Sequence, residues 1–313
     1  MGPNPPDPET LASLMRDPRG LNAFESDASI VFHDGEADAL RLARDPAGAS
    51  PLFWAPLPDD SVAVAFDLPS LFKVLPARPA LREDTFHDFL ATHYRYVFRD
   101  NARTFHEGVF QVPAGHALVA NASKIETFPW LDLSFDPEAP KLSFQGAADR
   151  YLETLRENTV LRLGSLENES FAFAISSGLD SATVASLAAR ELGTPLDVFC
   201  AAYSSASGTP YDETPAAKAL ADAKGWRFRP LELGPENLLS ETTALAEKTL
   251  APLATVTWLA HHALAKYVKA LGFDHLFSGL GGDESLAGEF EHFFLFFADL
   301  RAASNFELLE RET

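Results

Sequence analysis

The stretch Phe171-Ala172-Phe173-Ala174-Ile175-Ser176-Ser177-Gly178-Leu179-Asp180-Ser181-Ala182 constrains the chain more than any other. A short run of aromatic and branched residues ends in a Ser/Gly turn. A helical pattern starts at once: Val184, Leu187, Ala188 and Leu192 fall at i, i+3, i+4 and i+8 of one face. Gly193 stops that helix and Pro195 follows. The unit is strand, tight loop, helix. Such a loop aims backbone N–H groups and the positive end of the helix dipole at one point, which suits a phosphate. The hydroxyls of Ser176, Ser177 and Ser181 add donors. Asp180 puts a carboxylate inside an anion site, which is sensible chemistry where a divalent cation bridges it to phosphate oxygens. No Gly-Lys-Ser/Thr follows, so this is not a Walker A loop. Taken alone, it could also be an ordinary βα turn that happens to contain serines.

A second stretch, Phe277-Ser278-Gly279-Leu280-Gly281-Gly282-Asp283-Glu284, also follows an apolar strand-like run. Its three glycines let backbone approach a ligand closely. Asp283 offers a second hard oxygen ligand. Two carboxylates from two strand ends, with phosphate oxygens, make a sensible Mg²⁺ site. Between and around the two stretches, strand-like runs at 196–203, 228–233 and 275–278 alternate with helical patterns at 144–163, 214–224, 235–250 and 256–271. Gly225 ends the 214–224 helix. That alternation predicts an α/β fold with a parallel sheet covered on both faces. Ligands of such sheets sit at the carboxyl ends of the strands, where both loops fall.

The pair resembles Ser-Gly-Gly-Leu-Asp-Ser and Ser-Gly-x-Gly-x-Asp-Glu, the signature of the synthetase domain of asparagine synthetases, which cleave ATP between its α and β phosphates. The resemblance implies an ATP-pyrophosphatase fold of the adenine nucleotide α-hydrolase type. It implies that Ser176, Ser177, Gly178, Leu179, Asp180 and Ser181, with Ser278, Gly279 and Gly281, bind ATP and its pyrophosphate. It also implies Mg²⁺ on Asp180 and Asp283. Tyr211-Asp212-Glu213, which opens a helix, is similar to an Asp-Glu segment near the family's site. Glu213 is therefore expected beside Asp180 and Asp283 as a catalytic group, against the plain reading of a helix N-terminal charge.

Residues before about 142 differ in character. Strand-like runs at 29–33, 39–43, 62–66, 110–112 and 116–119 are separated by Asp, Gly and Pro. A helix is expected over 84–98, with Phe86, Phe89, Leu90 and His93 at helical spacing. Residues 3 to 8 are proline-rich and expected to be disordered. The runs Arg44-Asp45-Pro46-Ala47-Gly48, Pro51-Leu52-Phe53, Phe105-His106-Glu107-Gly108-Val109, Pro113-Ala114-Gly115-His116 and Pro129-Trp130 resemble, in order and spacing, the glutaminase domain of the same family. In that family they are packing and turn residues, so they imply an Ntn-type, β-rich fold rather than an activity. The expected division is a glutaminase-like domain over 1–131, a linker over 132–142 and a synthetase-type domain over 143–313.

Departures from the family pattern bear on function. A family glutaminase has a cysteine directly after the initiator Met, which attacks glutamine while its own α-amine acts as base. Here Gly2 stands there, and Cys200 is the one cysteine of the chain. The first domain is therefore expected to be inactive as a glutaminase. Cys200 ends an apolar run and is expected to be a buried structural thiol; a lone cysteine excludes an internal disulfide framework. Ser177 replaces a glycine of the loop. Leu280 stands where asparagine synthetases carry a Glu tied to the carboxylate substrate and ammonia, and where β-lactam-forming relatives carry Tyr. Leu does no acid–base work. Family synthetase domains continue past the equivalent of Thr313 and include a Lys that neutralises the departing pyrophosphate. The second domain is thus expected to be C-terminally incomplete. Phe290, Phe293, Phe294, Leu295, Phe296, Phe297 and Leu300 nearly surround a helix, which calls for burial. A homodimer, or a partner chain supplying the rest of the domain, is expected to cover it.

A net charge of −20 excludes a nucleic-acid backbone as the natural partner. No run reaches the roughly 18 apolar residues of a membrane span. The N-terminus lacks a signal-peptide pattern, and the expected location is cytoplasmic. His261 and His262 lack metal-ligand spacing and are expected to be structural. The expected function is an ATP-dependent, AMP-forming ligase of asparagine synthetase type. It would activate a small carboxylate as acyl-AMP and pass it to ammonia or an amine. Two alternatives stand beside it: a natural-product amide- or lactam-forming relative, and a non-catalytic remnant or nucleotide-binding module.

Overall fold

The computed structural model describes residues 7–17, 21, 28–92, 100–131, 134, 136–164, 166, 169–286 and 288–312. Along the chain the elements are α1 (Pro8–Arg16), β1 (Ile30–Asp34), β2 (Ala39–Ala43), β3 (Phe53–Pro56), β4 (Val62–Ala65), α2 (Leu68–Phe72), α3 (Glu83–Thr92), β5 (Phe110–Gln111), β6 (His116–Asn121) and β7 (Lys124–Pro129). Then come α4 (Phe144–Gly164), β8 (Phe171–Ala174), α5 (Leu179–Leu192), β9 (Asp197–Tyr203), α6 (Thr214–Lys224), β10 (Arg227–Leu233) and α7 (Leu238–Thr249). The last are α8 (Thr257–Ala270), β11 (His275–Phe277), α9 (Gly282–Leu286), α10 (Phe290–Ala302) and α11 (Phe306–Glu312). The expected helix end at 93–98, the tail at 3–6, and linker positions 132, 133 and 135 lie outside the described residues. Asp7 and Pro8, expected within a disordered tail, instead start α1. The Asp7 carboxylate accepts from the Glu9 and Thr10 N–H groups, and Pro8 takes the first helical position, where no N–H is needed.

The chain divides into two compact units, 1–148 with 236–259, and 149–235 with 260–313. In the first, two antiparallel sheets, ordered β1-β2-β6-β7 and β4-β3-β5, face one another. Strand alternation decides which residues meet. Leu40 and Leu42 of β2, Leu118 and Ala120 of β6, and Trp54, Val62 and Val64 of β3 and β4 form one cluster with Leu52 and Val112 between the sheets. The opposite face of the first sheet packs Ile30, Ala43 and Ala117 against Met15 of α1. The opposite face of the second packs Phe53, Ala55 and Ala63 against Leu68 and Leu71 of α2. The layers are therefore helix, sheet, sheet, helix. Arg16 of α1 and Arg41 of β2 both pair with the buried Asp34 carboxylate, which they hold down at about 2.

The residues of the Arg-Asp-x-x-Gly run make one knot. The Arg44 guanidinium donates to the carbonyls of Gly48, Ser50 and Val112. Asp45 accepts from the Ala49 and Ser50 N–H groups. Trp130 donates its indole N–H to the Arg44 carbonyl. Gly48 sits at φ +67°, and a Cβ there would press on Ala114 and the Arg44 side chain. These side chains satisfy backbone groups at the sheet edge, which is a packing task.

In the second unit, β10-β9-β8-β11 form a parallel sheet. One face packs Phe173, Ile175, Val198 and Cys200 on Ala185 and Ala188 of α5 and Ala217 and Ala221 of α6. The other packs Ala172, Phe199 and Leu231 on Leu264 and Val268 of α8. Gly193 and Gly225 end α5 and α6 in the left-handed conformation. The aromatic helix α10 is mostly exposed, its rings packing on one another, Phe290 edge-on to Phe294 at 5.1 Å. Among the described residues no helix is long and apolar enough to cross a membrane.

Residues 236–259 lie in sequence between β10 and β11 of the parallel sheet yet belong to the first unit. Leu250, which caps α7 at φ +51°, inserts beside Leu68 and Leu71. Its carbonyl accepts from His106 Nε2 at 2.7 Å, and Ala251 and Ala254 pack with Phe89 and Phe105. A carbonyl only accepts, so the His106 proton sits on Nε2. Nδ1 is buried with no partner among the described residues. Protonation would strand a second N–H in a site already under the Arg78 charge, and burial chiefly, then Arg78, pushes the imidazole pKa below its usual value. The unfolded chain thus binds the proton first as pH falls through about 6.5, so the latch weakens below that pH and is whole above it. Protection of the amides over 236–259, measured as exchange relative to the intrinsic rate at each pH, is expected to fall between pH 7.5 and 5. His106→Phe, which leaves the Leu250 carbonyl unpaired, should cost about 1–3 kcal/mol and abolish that pH dependence.

Candidate functional site

β8 and β11 are neighbours and run in the same direction, with Phe171 opposite His275 and Phe173 opposite Phe277. Their carboxyl ends therefore release the two Ser/Gly loops side by side. The rings of Phe173 and Phe277 stack at 5.3 Å just below that point. The loops do more than lie close. A Cβ on Gly279 would fall 2.4 Å from the Ser181 backbone nitrogen and 2.9 Å from the Asp180 carbonyl carbon. A Cβ on Gly282 would fall 2.3 Å from the Asp180 carboxylate carbon. Only glycine permits the first approach, which is backbone on backbone; the second meets the end of a side chain that can turn aside. Gly281, at φ +94°, supplies the turn between them. Asp283, next to Gly282, thereby comes to the neighbourhood of Asp180. Its main-chain carbonyl accepts from the Gly288 N–H, and Gly288 packs so closely that a Cβ would meet the Asp283 carboxylate.

The first loop is tied internally. Ser176 N–H donates to Ser181 Oγ, the two hydroxyls lie 3.0 Å apart, and Gly178 N–H donates to Ser176 Oγ. In this conformation the Ser176 and Ser181 hydroxyls shape the loop. The first N–H groups of α5 have no intrahelical acceptor, and that of Ser181 lies under Gly279. Ser177, the residue that replaces a glycine, donates its hydroxyl to the Glu213 carboxylate at 2.9 Å. Glu213 therefore reaches across to the loop, while Asp212 does the local work of accepting from Gly208 and Thr214 N–H groups. Ser278 Oγ accepts from the Leu280 N–H at 3.4 Å.

The structure thus brings Ser176, Ser177, Gly178, Leu179, Asp180, Ser181, Glu213, Ser278, Gly279, Gly281 and Asp283 to one end of one sheet. The sequence reading missed Gly282 and Gly288. Gly282 had a signal, its place in a glycine run; Gly288 had none. Cys200 lies buried under this end of the sheet. Desolvation, then the charges of Glu213 and Asp212, push its thiol up to about 11, which keeps it protonated at neutral pH, as suits a buried structural thiol. Among the described residues no group of three or more His, Cys, Asp or Glu could hold a metal. Two carboxylates, Asp180 and Asp283, on adjoining loops suit a Mg²⁺ that would arrive with nucleotide phosphates and keep its waters, rather than a resident ion in a protein cage.

The glycine contact can be tested without any ligand. Gly279→Ala must push backbone away from backbone. It should lower Tm and expose the Ser181 amide, seen as faster exchange over 176–182. Gly282→Ala meets only a carboxylate that can rotate. It should leave Tm nearly unchanged, within the roughly 0.5 kcal/mol of an uncomplicated surface substitution.

Comparison with known proteins finds two families along the chain. Residues 7–131 match the glutamine amidotransferase domain family, and residues 152–307 match the asparagine synthase family. Amidase chry2 of Gibberella zeae is 24% identical over 286 residues, and Amidase chyE of Penicillium rubens is 25% identical over 286 residues. Each alignment covers 86% of this chain, and the chain spans 40% of the length of these relatives. Among solved structures, the NH3-dependent NAD synthetase of Campylobacter jejuni matches with 18% identity and a TM-score of 0.32, over 45% of this chain and 59% of that one. The assignment rests on the two family matches, which lie in the family's order along the chain: it belongs to the asparagine synthetase superfamily.

Proposed function

We propose that the second unit binds Mg-ATP and activates a carboxylate for amide formation, as part of an ATP-dependent, AMP-forming carbon–nitrogen ligase. The observation that supports this most is the seating of Gly282 on the Asp180 carboxylate and of Gly279 on the Ser181 nitrogen. It gathers two carboxylates and a helix N-terminus at one strand end. In this reading the α5 N-terminus and the loop hold the β and γ phosphates. Asp180 and Asp283 hold the Mg²⁺ that travels with them, which spreads phosphate charge when bound. A carboxylate oxygen of the acyl substrate attacks the α-phosphorus, the bond to the β-phosphate oxygen breaks, and pyrophosphate leaves. Ammonia or an amine then attacks the acyl carbon, loses a proton and expels AMP. Glu213, fixed by Ser177, lies where it can orient the nucleophile or take that proton. The protein's share is positioning and electrostatics.

The nitrogen does not come from glutamine hydrolysed on this chain. No cysteine lies in the stretch that matches the amidotransferase family, and Cys200 is buried with a raised pKa. The amidotransferase-like domain, 1–131, then serves as a scaffold, joined through 132–142 to the synthetase-type domain from 143. The reduced thiol and the ATP requirement suit work in the cytoplasm. A second reading, a relative that amidates or cyclises a natural product, is favoured by Leu280 in place of the family's Glu.

Calorimetry should show Mg-ATP binding by the intact chain. Asp180→Ala, which removes a partly exposed side chain, should lose it without loss of fold. Loss of such a preorganised group should slow pyrophosphate release by about 10²- to 10³-fold. A folded chain that binds no Mg-ATP would sink the ligase reading.

A further inference from the structure

We infer that the acyl substrate is a monocarboxylate with an apolar body, not a dicarboxylate; this rests on the ligase reading above. Three loops converge on the Asp180 end of the sheet, and large apolar side chains on or beside them face solvent. Leu179, in the first turn of α5, is 84% exposed. Leu280 is 67% exposed and directly follows Gly279, which lies against the Ser181 nitrogen. Tyr211 is 84% exposed, two residues before the Glu213 that Ser177 holds. Apolar side chains left open singly need no explanation. Three around one polar mouth mark a surface that a ligand covers.

Charge gives an independent argument. The loops 175–178, 204–213 and 278–289 contain Asp212, Glu213, Asp283, Glu284 and Glu289, and neither Lys nor Arg. The negative field is felt at Cys200 and Tyr203, whose pKa values burial raises first and the Glu213 charge raises further. A reacting carboxylate can share the Mg²⁺ that comes with ATP. A second carboxylate would enter this field with no Lys or Arg of these three loops to meet it, and desolvating it unpaired is costly. An apolar body instead covers Leu280 and its neighbours and gains from leaving water.

The test is exchange of radiolabelled pyrophosphate into ATP by the intact chain. It is driven by 3-phenylpropanoate or by aspartate, with calorimetric Mg-ATP binding measured alongside. The expected result is a kcat/KM for 3-phenylpropanoate at least about tenfold above that for aspartate. Leu280→Arg should raise KM for 3-phenylpropanoate by about tenfold, change kcat less, and narrow the preference against aspartate. Its retained Mg-ATP binding reports an intact fold. Mg-ATP binding with a preference for aspartate, with exchange driven by neither acid, or with a KM unmoved in Leu280→Arg would overturn this inference and leave the nucleotide site standing. Absence of Mg-ATP binding by the unaltered chain would remove the ligase reading and this inference together.

Discussion

The candidate site depends on one steric fact: two loops from neighbouring parallel strands meet because the second carries no side chain where they touch. The register of β8 and β11 delivers both loops to the same edge. Gly279 and Gly282 then let the second settle on the nitrogen of Ser181 and the carboxylate of Asp180. A Cβ at Gly279 would push the second loop off the Ser181 nitrogen, backbone against backbone, whereas one at Gly282 would only turn the Asp180 carboxylate aside. Glycine costs conformational entropy on folding, roughly 0.5–1 kcal/mol relative to alanine within a helix or strand. Three glycines stand here within four residues: Gly279 against backbone, Gly281 in the left-handed turn and Gly282 against a carboxylate.

Much of this was legible in the chain. Alternating strand-like and helical patterns from 144 onward, with Gly193 and Gly225 as stops, correspond to β8 through β11 and their helices nearly residue for residue. Parallel order followed from alternation, and the strand-end position of both loops followed from parallel order. What periodicity cannot specify is which glycine meets which side chain. Gly282 looked like one more flexible residue, and its partner lies on another strand. The serines illustrate the same limit. A hydroxyl in a loop is a donor in composition alone; only the folded loop shows Ser176 and Ser181 spending theirs on each other while Ser177 reaches Glu213.

The connection after β10 was harder to read. Helical patterns at 235–250 and 256–271 were evident, but helices between strands normally cover the sheet they connect. Here α7 and the residues after it join the first unit, because Leu250 finds an apolar slot and its carbonyl finds His106. A left-handed Leu is an unfavourable conformation. Burial of its side chain and a short hydrogen bond to its carbonyl offset that cost. Such a choice is made by tertiary contacts from residues well over a hundred positions away in the chain, and no local pattern encodes it. In α10 the local pattern was plain and correct as to helix, but burial is a property of neighbours, and the rings mostly face solvent.

Charge is distributed along the parallel sheet with a clear polarity. At the amino ends of β9 and β10, Asp197 pairs with Arg227 and Arg229, which hold its carboxyl below the usual range. At the carboxyl ends the loops are acidic and hold no basic side chain. A phosphate site without Lys or Arg must draw its positive charge from helix N–H groups and from a cation that the ligand carries. That makes the anion site conditional: nucleotide without Mg²⁺ would meet net repulsion from Asp180, Asp283 and Glu213, and nucleotide with it would not. The apolar rim of Leu179, Tyr211 and Leu280 extends that logic to the second substrate, because beside such a field the tolerable surface is an uncharged one.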